Sequence, residues 1–414
     1  MMKWSGGIWV GIGVFGLLLQ LPLAAGSVFE EQMADSVAWG GDENALVANE
    51  TLDGRPVLKF TLPGRRHCQF NGNAVGKNAL KLEIQRLDTD FWLTIRLGSR
   101  PYYDCFSAMV PIAGEGWQTV IVPFEQFLPG FDVVYSSPSP LAPEAVIRGK
   151  IGGAILPLEE LNTVTFGSYW QISHRNEPIA PYSFLVRNIE LAAIGEGERP
   201  AGAVEPERSR TLDEVVKKMA AGEAVTIDCI GDSITAGTSV EQPERNAYPS
   251  LLQAQLRQAF DNEQIVVRNL GVGGAFSFEL RLWAQRDLTE FPADLVTVMV
   301  GFNDRIYNVD REIYRQAMLD YVDRVRHSAA VAPALVLLTP SPGLGDRYHT
   351  QDELAEAIRT IGVEKQLPVV DVSAAFQALP MEEFESLMAD FAHPNKRGQA
   401  LIADRLAALF RQAR

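Results

Sequence analysis

The chain has 414 residues, which leaves room for two folded domains of about 100–200 residues each. Its apolar fraction of 47% is ordinary for globular proteins, so both can bury a core. A formal net charge of -15 argues against nucleic acid as a partner, because phosphate binding needs a basic surface.

The first 26 residues read as an export signal. Lys3 gives a short positive start, Ile8 to Leu19 is an unbroken apolar and glycine run, and Pro22 to Gly26 supplies small residues for cleavage before Ser27. The alternative is an uncleaved N-terminal anchor, since no charge appears between Lys3 and Glu30. Either way the expected location is secreted, periplasmic or cell-envelope. No cysteine lies near the cut, which argues against a lipoprotein. Gly11, Gly13 and Gly16 spell G-x-G-x-x-G, but no strand precedes them, so they are not a dinucleotide site.

From residue 27 to 194 the pattern predicts a β-sandwich. Short alternating or aromatic runs recur at Val57 to Leu62, Leu80 to Ile84, Phe91 to Leu97, Trp117 to Val122, Thr163 to Ile172 and Ser183 to Leu191, separated by Gly, Pro, Asn and Asp. Of the three cysteines, Cys68 and Cys105 fall in this region and Cys229 does not. In an exported chain a Cys68–Cys105 bridge is the favoured expectation, three buried thiols the alternative. Residues 195–210, rich in Gly, Pro, Glu and Arg, read as an exposed linker.

At Leu212 the period changes, and 211–414 reads as an α/β domain with a mainly parallel sheet. Strand candidates are Val225 to Ile230, Ile265 to Leu270, Leu295 to Val300, Ala334 to Leu338 and Pro368 to Val370. Helix candidates are Leu212 to Met219, Tyr248 to Phe260, Ser277 to Leu288, Arg311 to His327, Gln351 to Lys365 and Asn395 to Arg411.

In open α/β sheets ligands bind beyond the carboxyl ends of the strands. The first such loop, Gly231-Asp232-Ser233-Ile234-Thr235, can hold a serine hydroxyl and its own N–H at the top of the sheet. It is not G-x-S-x-G, and read alone it is equally an ordinary turn or cap. The second, Asn269 to Gly274, carries glycines at 271, 273 and 274, whose bare N–H groups can donate to an oxyanion or simply make a tight turn. The third, Gly301-Phe302-Asn303-Asp304, offers a neutral amide donor or an Asx-turn. Near the C-terminus two residues separate Asp390 from His393, so the carboxylate could hold Nδ1–H and leave Nε2 to take a proton from Ser233. Of the other histidines, His67 and His174 lie in the β-rich half, His327 on a predicted helix, and His349 on a polar loop. Each loop alone is bland. In order they supply a nucleophile, oxyanion donors, and an acid with its base, which is what acyl transfer from an ester requires.

This set resembles the SGNH (GDSL-type) hydrolases, named for their Ser, Gly, Asn and His. Gly231-Asp232-Ser233, Gly274, Gly301-x-Asn303-Asp304 and Asp390-x-x-His393 match its blocks in order over about residues 224–414, and Tyr248-Pro249 before an amphipathic helix is also typical. The resemblance implies a three-layer, flavodoxin-like α/β fold with a parallel five-stranded sheet and no metal or other cofactor. It implies a triad of Ser233, Asp390 and His393. The oxyanion hole would be formed by the N–H groups of Ser233 and Gly274 and the amide of Asn303, with Asp232, Gly273 and Asp304 in support. Gly273 is the alternative donor to Gly274. In the N-terminal half, Gly116-Trp117-Gln118 through Val122-Pro123-Phe124, then Val164-x-Phe166-Gly167 and Phe184 to Ile189, resemble the jelly-roll of complex-I-intermediate-associated proteins, itself similar to galactose-binding-like modules. Trp117, Tyr169 and Trp170 read as core residues rather than sugar platforms. A β-sandwich joined to an exported SGNH domain resembles two-domain carbohydrate esterases, so the expected substrate is an acetyl ester on a polysaccharide. The alternatives are a lipid or thioester hydrolase, and a carbohydrate-binding or scaffold protein with an idle catalytic domain. No partner protein is implied.

Overall fold

Alternation of apolar and polar side chains builds the N-terminal half. In β5 (Ala79–Arg86), Leu80, Leu82 and Ile84 point inward while Lys81, Glu83 and Gln85 face out. Such strands form two antiparallel sheets packed face to face. One has the order β1 (Gly40–Gly41), β4 (Arg65–Gln69), β10 (Thr163–Gly167), β6 (Phe91–Arg100), β7 (Tyr103–Ile112), β9 (Leu128–Pro129). The other has the order β2 (Leu46–Leu52), β3 (Arg55–Leu62), β11 (Tyr182–Ala192), β5, β8 (Gln118–Pro123). Between them Trp39, Phe60, Phe166 and Phe184 pack ring on ring, Phe60 and Phe184 stacked at 5.2 Å. The structure, a computed structural model, describes residues 28–100, 103–129, 156–168, 178–200, 207–307, 309–345 and 352–414. The segment read as an export signal lies outside these, as do Tyr169, Trp170, His174 and His349. Among the described residues no helix is long and apolar enough to cross a membrane.

The expected Cys68–Cys105 bridge is absent: Cys68 is a free, buried thiol. The register explains this. Cys68 pairs with Val164, Val164 with Leu97, and Cys105 lies opposite Gly98 on the far side of β6. The two cysteines are thus three strand spacings apart, about 14 Å, whereas a disulfide needs Cα atoms about 4.4–6.8 Å apart. Burial pushes the Cys68 thiol up, and that of Cys229 to about 12.

In the C-terminal half a capping box of Thr211 and Glu214 opens the helix Leu212–Ala220. The chain then alternates strand and helix. All five strands are parallel, in the order β14 (Ile265–Gly271), β13 (Val225–Gly231), β15 (Leu295–Met299), β17 (Ala334–Leu338), β18 (Val369–Val370). This is the doubly wound order in which the first strand lies inside the second. Helices Leu212–Ala220, Tyr248–Phe260 and Lys396–Gln412 cover one face, packing Met219, Leu256 and Leu406 on Ile227 and Cys229. Helices Ser277–Glu290, Arg311–Arg326 and Glu353–Lys365 cover the other, packing Leu280, Met318 and Ile358 on Val296 and Val298. The result is the three-layer α/β/α hydrolase architecture.

Three contacts bear on how the halves meet. Inside the stretch read as a linker, β12 (Arg208–Ser209) pairs in parallel with β16 (Val331–Ala332). Met109 of β7 packs into the apolar cluster of the helix Ser277–Glu290, whose Arg281 donates from Nη2 to the Pro129 carbonyl at 3.2 Å.

Candidate active site

The sheet brings three loops to the carboxyl ends of β13, β14 and β15. Two glycines make this possible. A Cβ on Gly231 would stand 2.1 Å from Thr235 Oγ1 and 2.3 Å from the Met299 carbonyl, and one on Gly271 would stand 2.2 Å from Ala236 N. Glycine at both strand ends lets the turn after β13 sink between its neighbours. Asp232 caps that turn by accepting from Ile234 N at 3.0 Å, which starts the short helix Ser233–Ala236 with the Ser233 side chain at its mouth.

Ser233 Oγ lies 2.9 Å from His393 Nε2. On the other side of the ring, Nδ1 is 2.9 Å from Asp390 Oδ2 and 3.0 Å from Oδ1. With Nδ1–H donated to the carboxylate, Nε2 is left to accept the Ser233 hydroxyl. The loop holding the acid and base is closed by its own backbone. Asp390 Oδ1 accepts from the N–H groups of Ala392 and His393, each at 2.8 Å, and Ala389 N donates to the His393 carbonyl. A further donor, the Ser239 hydroxyl, reaches Asp390 Oδ2 at 2.9 Å. Burial acts to raise the Asp390 carboxyl. The hydrogen bonds from Ala392, His393 and Ser239 outweigh it and hold the carboxyl at about 2, so it is ionised at any ordinary pH.

Gly274 has φ +80°, and neither its N–H nor that of Ser233 has a hydrogen-bond partner among the described residues. Asn303 Nδ2 donates to the Ala275 carbonyl at 2.9 Å, which ties its loop to the glycine loop and leaves its second N–H for another acceptor. Asp304 adds a second tie: buried, it accepts from Ser277 Oγ at 2.6 Å and from Ser277 N at 3.2 Å. Asp232 reaches across as well, accepting from Phe302 N–H. Burial, with repulsion from Asp304, pushes Asp232 up to about 7 and Glu279 to about 8, and burial alone pushes Asp304 to about 6. Three carboxyl groups thus brace the site from behind.

The structure therefore brings together Ser233, Asp390 and His393, with Gly274 and Asn303 on the two neighbouring loops and Asp232 and Asp304 beneath them. His67 sits in β4 of the sandwich, and His327 Nδ1 lies against the Asp323 carbonyl at a helix end. No group of His, Cys, Asp and Glu able to hold a metal ion occurs among the described residues. Two contacts were not foreseen from the sequence. Ser239 reaches the acid, and Gln399, fully buried, donates to the Ile234 carbonyl at 3.0 Å while accepting from Tyr248 N at 2.9 Å.

Residues 229–401 match the GDSL-like Lipase/Acylhydrolase family. An acetylxylan esterase of Xylanibacter ruminicola is 23% identical over 212 residues, 45% of this chain and 43% of that one, so this chain spans less than half of that relative's length. An acetylxylan esterase of Geobacillus stearothermophilus is 24% identical over 205 residues, 45% of this chain and 93% of that one. Among solved structures, a two-domain esterase active on acetylated mannans aligns with a TM-score of 0.42 at 25% identity, over 49% of this chain and 53% of that one.

Proposed function

We propose that the protein is a serine esterase that removes acetyl groups from a carbohydrate, a reading supported by the match of residues 229–401 to the GDSL-like Lipase/Acylhydrolase family. The observation that carries the reading is the line Ser233 Oγ, His393 Nε2, His393 Nδ1, Asp390, each link a hydrogen bond of 2.9 Å. His393 takes the Ser233 proton as Oγ attacks the ester carbonyl. The N–H groups of Ser233 and Gly274 and the free N–H of Asn303 face the charge that develops on the carbonyl oxygen. The proton then passes to the leaving alcohol, and water, activated by His393 in its turn, frees the acid and restores Ser233. Both curated relatives are named for acetylxylan, which supports an acetylated sugar over a lipid or thioester. The apolar run at Ile8 to Leu19 supports export. The β-sandwich is read as an accessory domain, joined through the segment at 195–210.

A panel of p-nitrophenyl esters from acetate to palmitate, followed by acetylated xylan and mannan, tests this. Acetate should be the best ester, and acetic acid should be released from the polymer. Ser233→Ala should lose about 10⁴-fold or more of turnover while staying folded. Near-normal activity in that variant would refute the proposal.

A further inference from the structure

The turn that follows the nucleophile helix contains an oddly chosen residue. Gly237 N and Thr238 N both donate to the Ser233 carbonyl, at 3.1 and 3.0 Å, so the turn is fastened to the nucleophile's own backbone. Val240 N then donates to the Gly237 carbonyl at 3.2 Å, which puts Ser239 third in a four-residue turn. Its φ is +67°. At that position a positive φ calls for Gly or Asn, because an L side chain crowds the backbone there. The side chain is exposed, so packing does not account for a serine. Its one hydrogen bond does: Oγ donates to Asp390 Oδ2 at 2.9 Å, across 151 positions of chain. This oxygen also lies 2.9 Å from His393 Nδ1. The other carboxylate oxygen already takes two backbone N–H groups.

We infer that Ser239 is a positioning residue for the triad, fixing the rotation of the Asp390 carboxylate and coupling the nucleophile turn to the acid-base loop. The inference rests on the reading of Ser233, His393 and Asp390 as the triad. Without the Ser239 hydroxyl, Oδ1 keeps its backbone donors, but Oδ2, the nearer of the two oxygens at Nδ1, loses the donor that orients it. The imidazole then holds its alignment with Ser233 less often. A residue kept in an unfavourable backbone region by a contact to the reacting groups is the pattern expected when strain serves function.

The backbone preference makes the test discriminating. Ser239→Gly removes the hydroxyl and relieves the backbone; Ser239→Ala removes the hydroxyl and keeps the strain; Ser239→Asn suits the backbone and retains a donor. On p-nitrophenyl acetate, the Gly and Ala variants should both lose roughly 5–50-fold in kcat, with KM within about twofold of the parent. Ser239→Gly should nonetheless melt higher than Ser239→Ala, and Ser239→Asn should recover most of kcat. If Ser239 merely shaped the turn, kcat would follow stability, and a Ser239→Gly protein with full kcat overturns the inference. Ser233→Ala is measured alongside. An inactive Ser233→Ala with a fully active Ser239→Gly overturns the positioning role alone, whereas an active Ser233→Ala overturns the triad and this inference with it.

Discussion

Asn303 does two things with one amide, and the two can be separated by kinetics. One Nδ2 hydrogen holds the Ala275 carbonyl at 2.9 Å, and the other is the donor proposed for the oxyanion. Asn303→Ala should lower kcat by about 10²–10³-fold with little change in KM, as for loss of an oxyanion donor. A change confined to KM would make Asn303 a substrate-binding group instead. The buried acids give a second prediction at this scale. Asp232 and Asp304 keep their protons in the folded chain up to about 7 and about 6, whereas in the unfolded chain they release them near 4. Between those values the folded state binds more protons than the unfolded one, so stability must fall as pH rises from about 4 to 7. Asp390 acts oppositely and lower down: held at about 2, it contributes stability that is lost as pH drops below about 4. Asp304→Asn can still accept from Ser277 N without ionising. It should flatten the fall in thermal midpoint between pH 4 and pH 6, and an unchanged slope there would mean the protons reside elsewhere. Ser233, Gly274 and Asn303 could be read from the sequence because each stands just beyond an apolar strand, and Asp390 and His393 because two residues separate them just before a helix. Ser239 could not, since its reason for being there is a carboxylate 151 positions away.

At the scale of elements, the helix Lys396–Gln412 fixes the Ser233 turn through Gln399. The buried amide bridges the Ile234 carbonyl and Tyr248 N, so one side chain joins the last helix, the turn after β13 and the start of the helix Tyr248–Phe260. Gln399→Ala leaves Tyr248 N unpaired in the interior and the Ile234 carbonyl with only the Gly237 N–H at 3.3 Å. It should cost about 1–3 kcal/mol, read as a shift in the denaturant midpoint. Because His393 lies a few residues before this helix, kcat should fall as well. The helices and strands of this half could be read closely in advance, from Tyr248–Phe260 to Ala334–Leu338, because each packs one apolar stripe or run against the sheet. The sandwich was less legible. The strand Leu46–Leu52 is mostly exposed and Arg65–Gln69 opens on two arginines and buries only Cys68, so neither carries the alternation that marks a half-buried strand. The same blindness to register made a Cys68–Cys105 bridge look attractive: sequence proximity to a shared sheet says nothing of how many strands lie between.

For the whole molecule, the question is whether the sandwich only gathers substrate or also steadies the site. The helix Ser277–Glu290 begins three positions after Gly274, and its first residue is the one Asp304 holds. Farther along, the same helix meets the sandwich: Arg281 donates to the Pro129 carbonyl, Met109 packs into the helix's apolar cluster, and Trp283 and Arg286 face Trp92, Thr94 and Met109 across a narrow cleft. Removing the sandwich would expose that seam and leave buried Arg281 without its acceptor. A protein shortened to residues 207–414 retains β12 and every loop of the candidate site. It should still melt several degrees lower than the full chain, since a loss of about 1 kcal/mol shifts a domain of this size by about 2–4 °C. It should also lose kcat on p-nitrophenyl acetate, because the glycine loop is held at one end by that helix. On an acetylated polymer the loss should be larger, combining the loosened site with lost attachment. A shortened protein with an unchanged midpoint and full activity on the small ester would show that the seam carries no load, and that the sandwich acts on polymeric substrate alone.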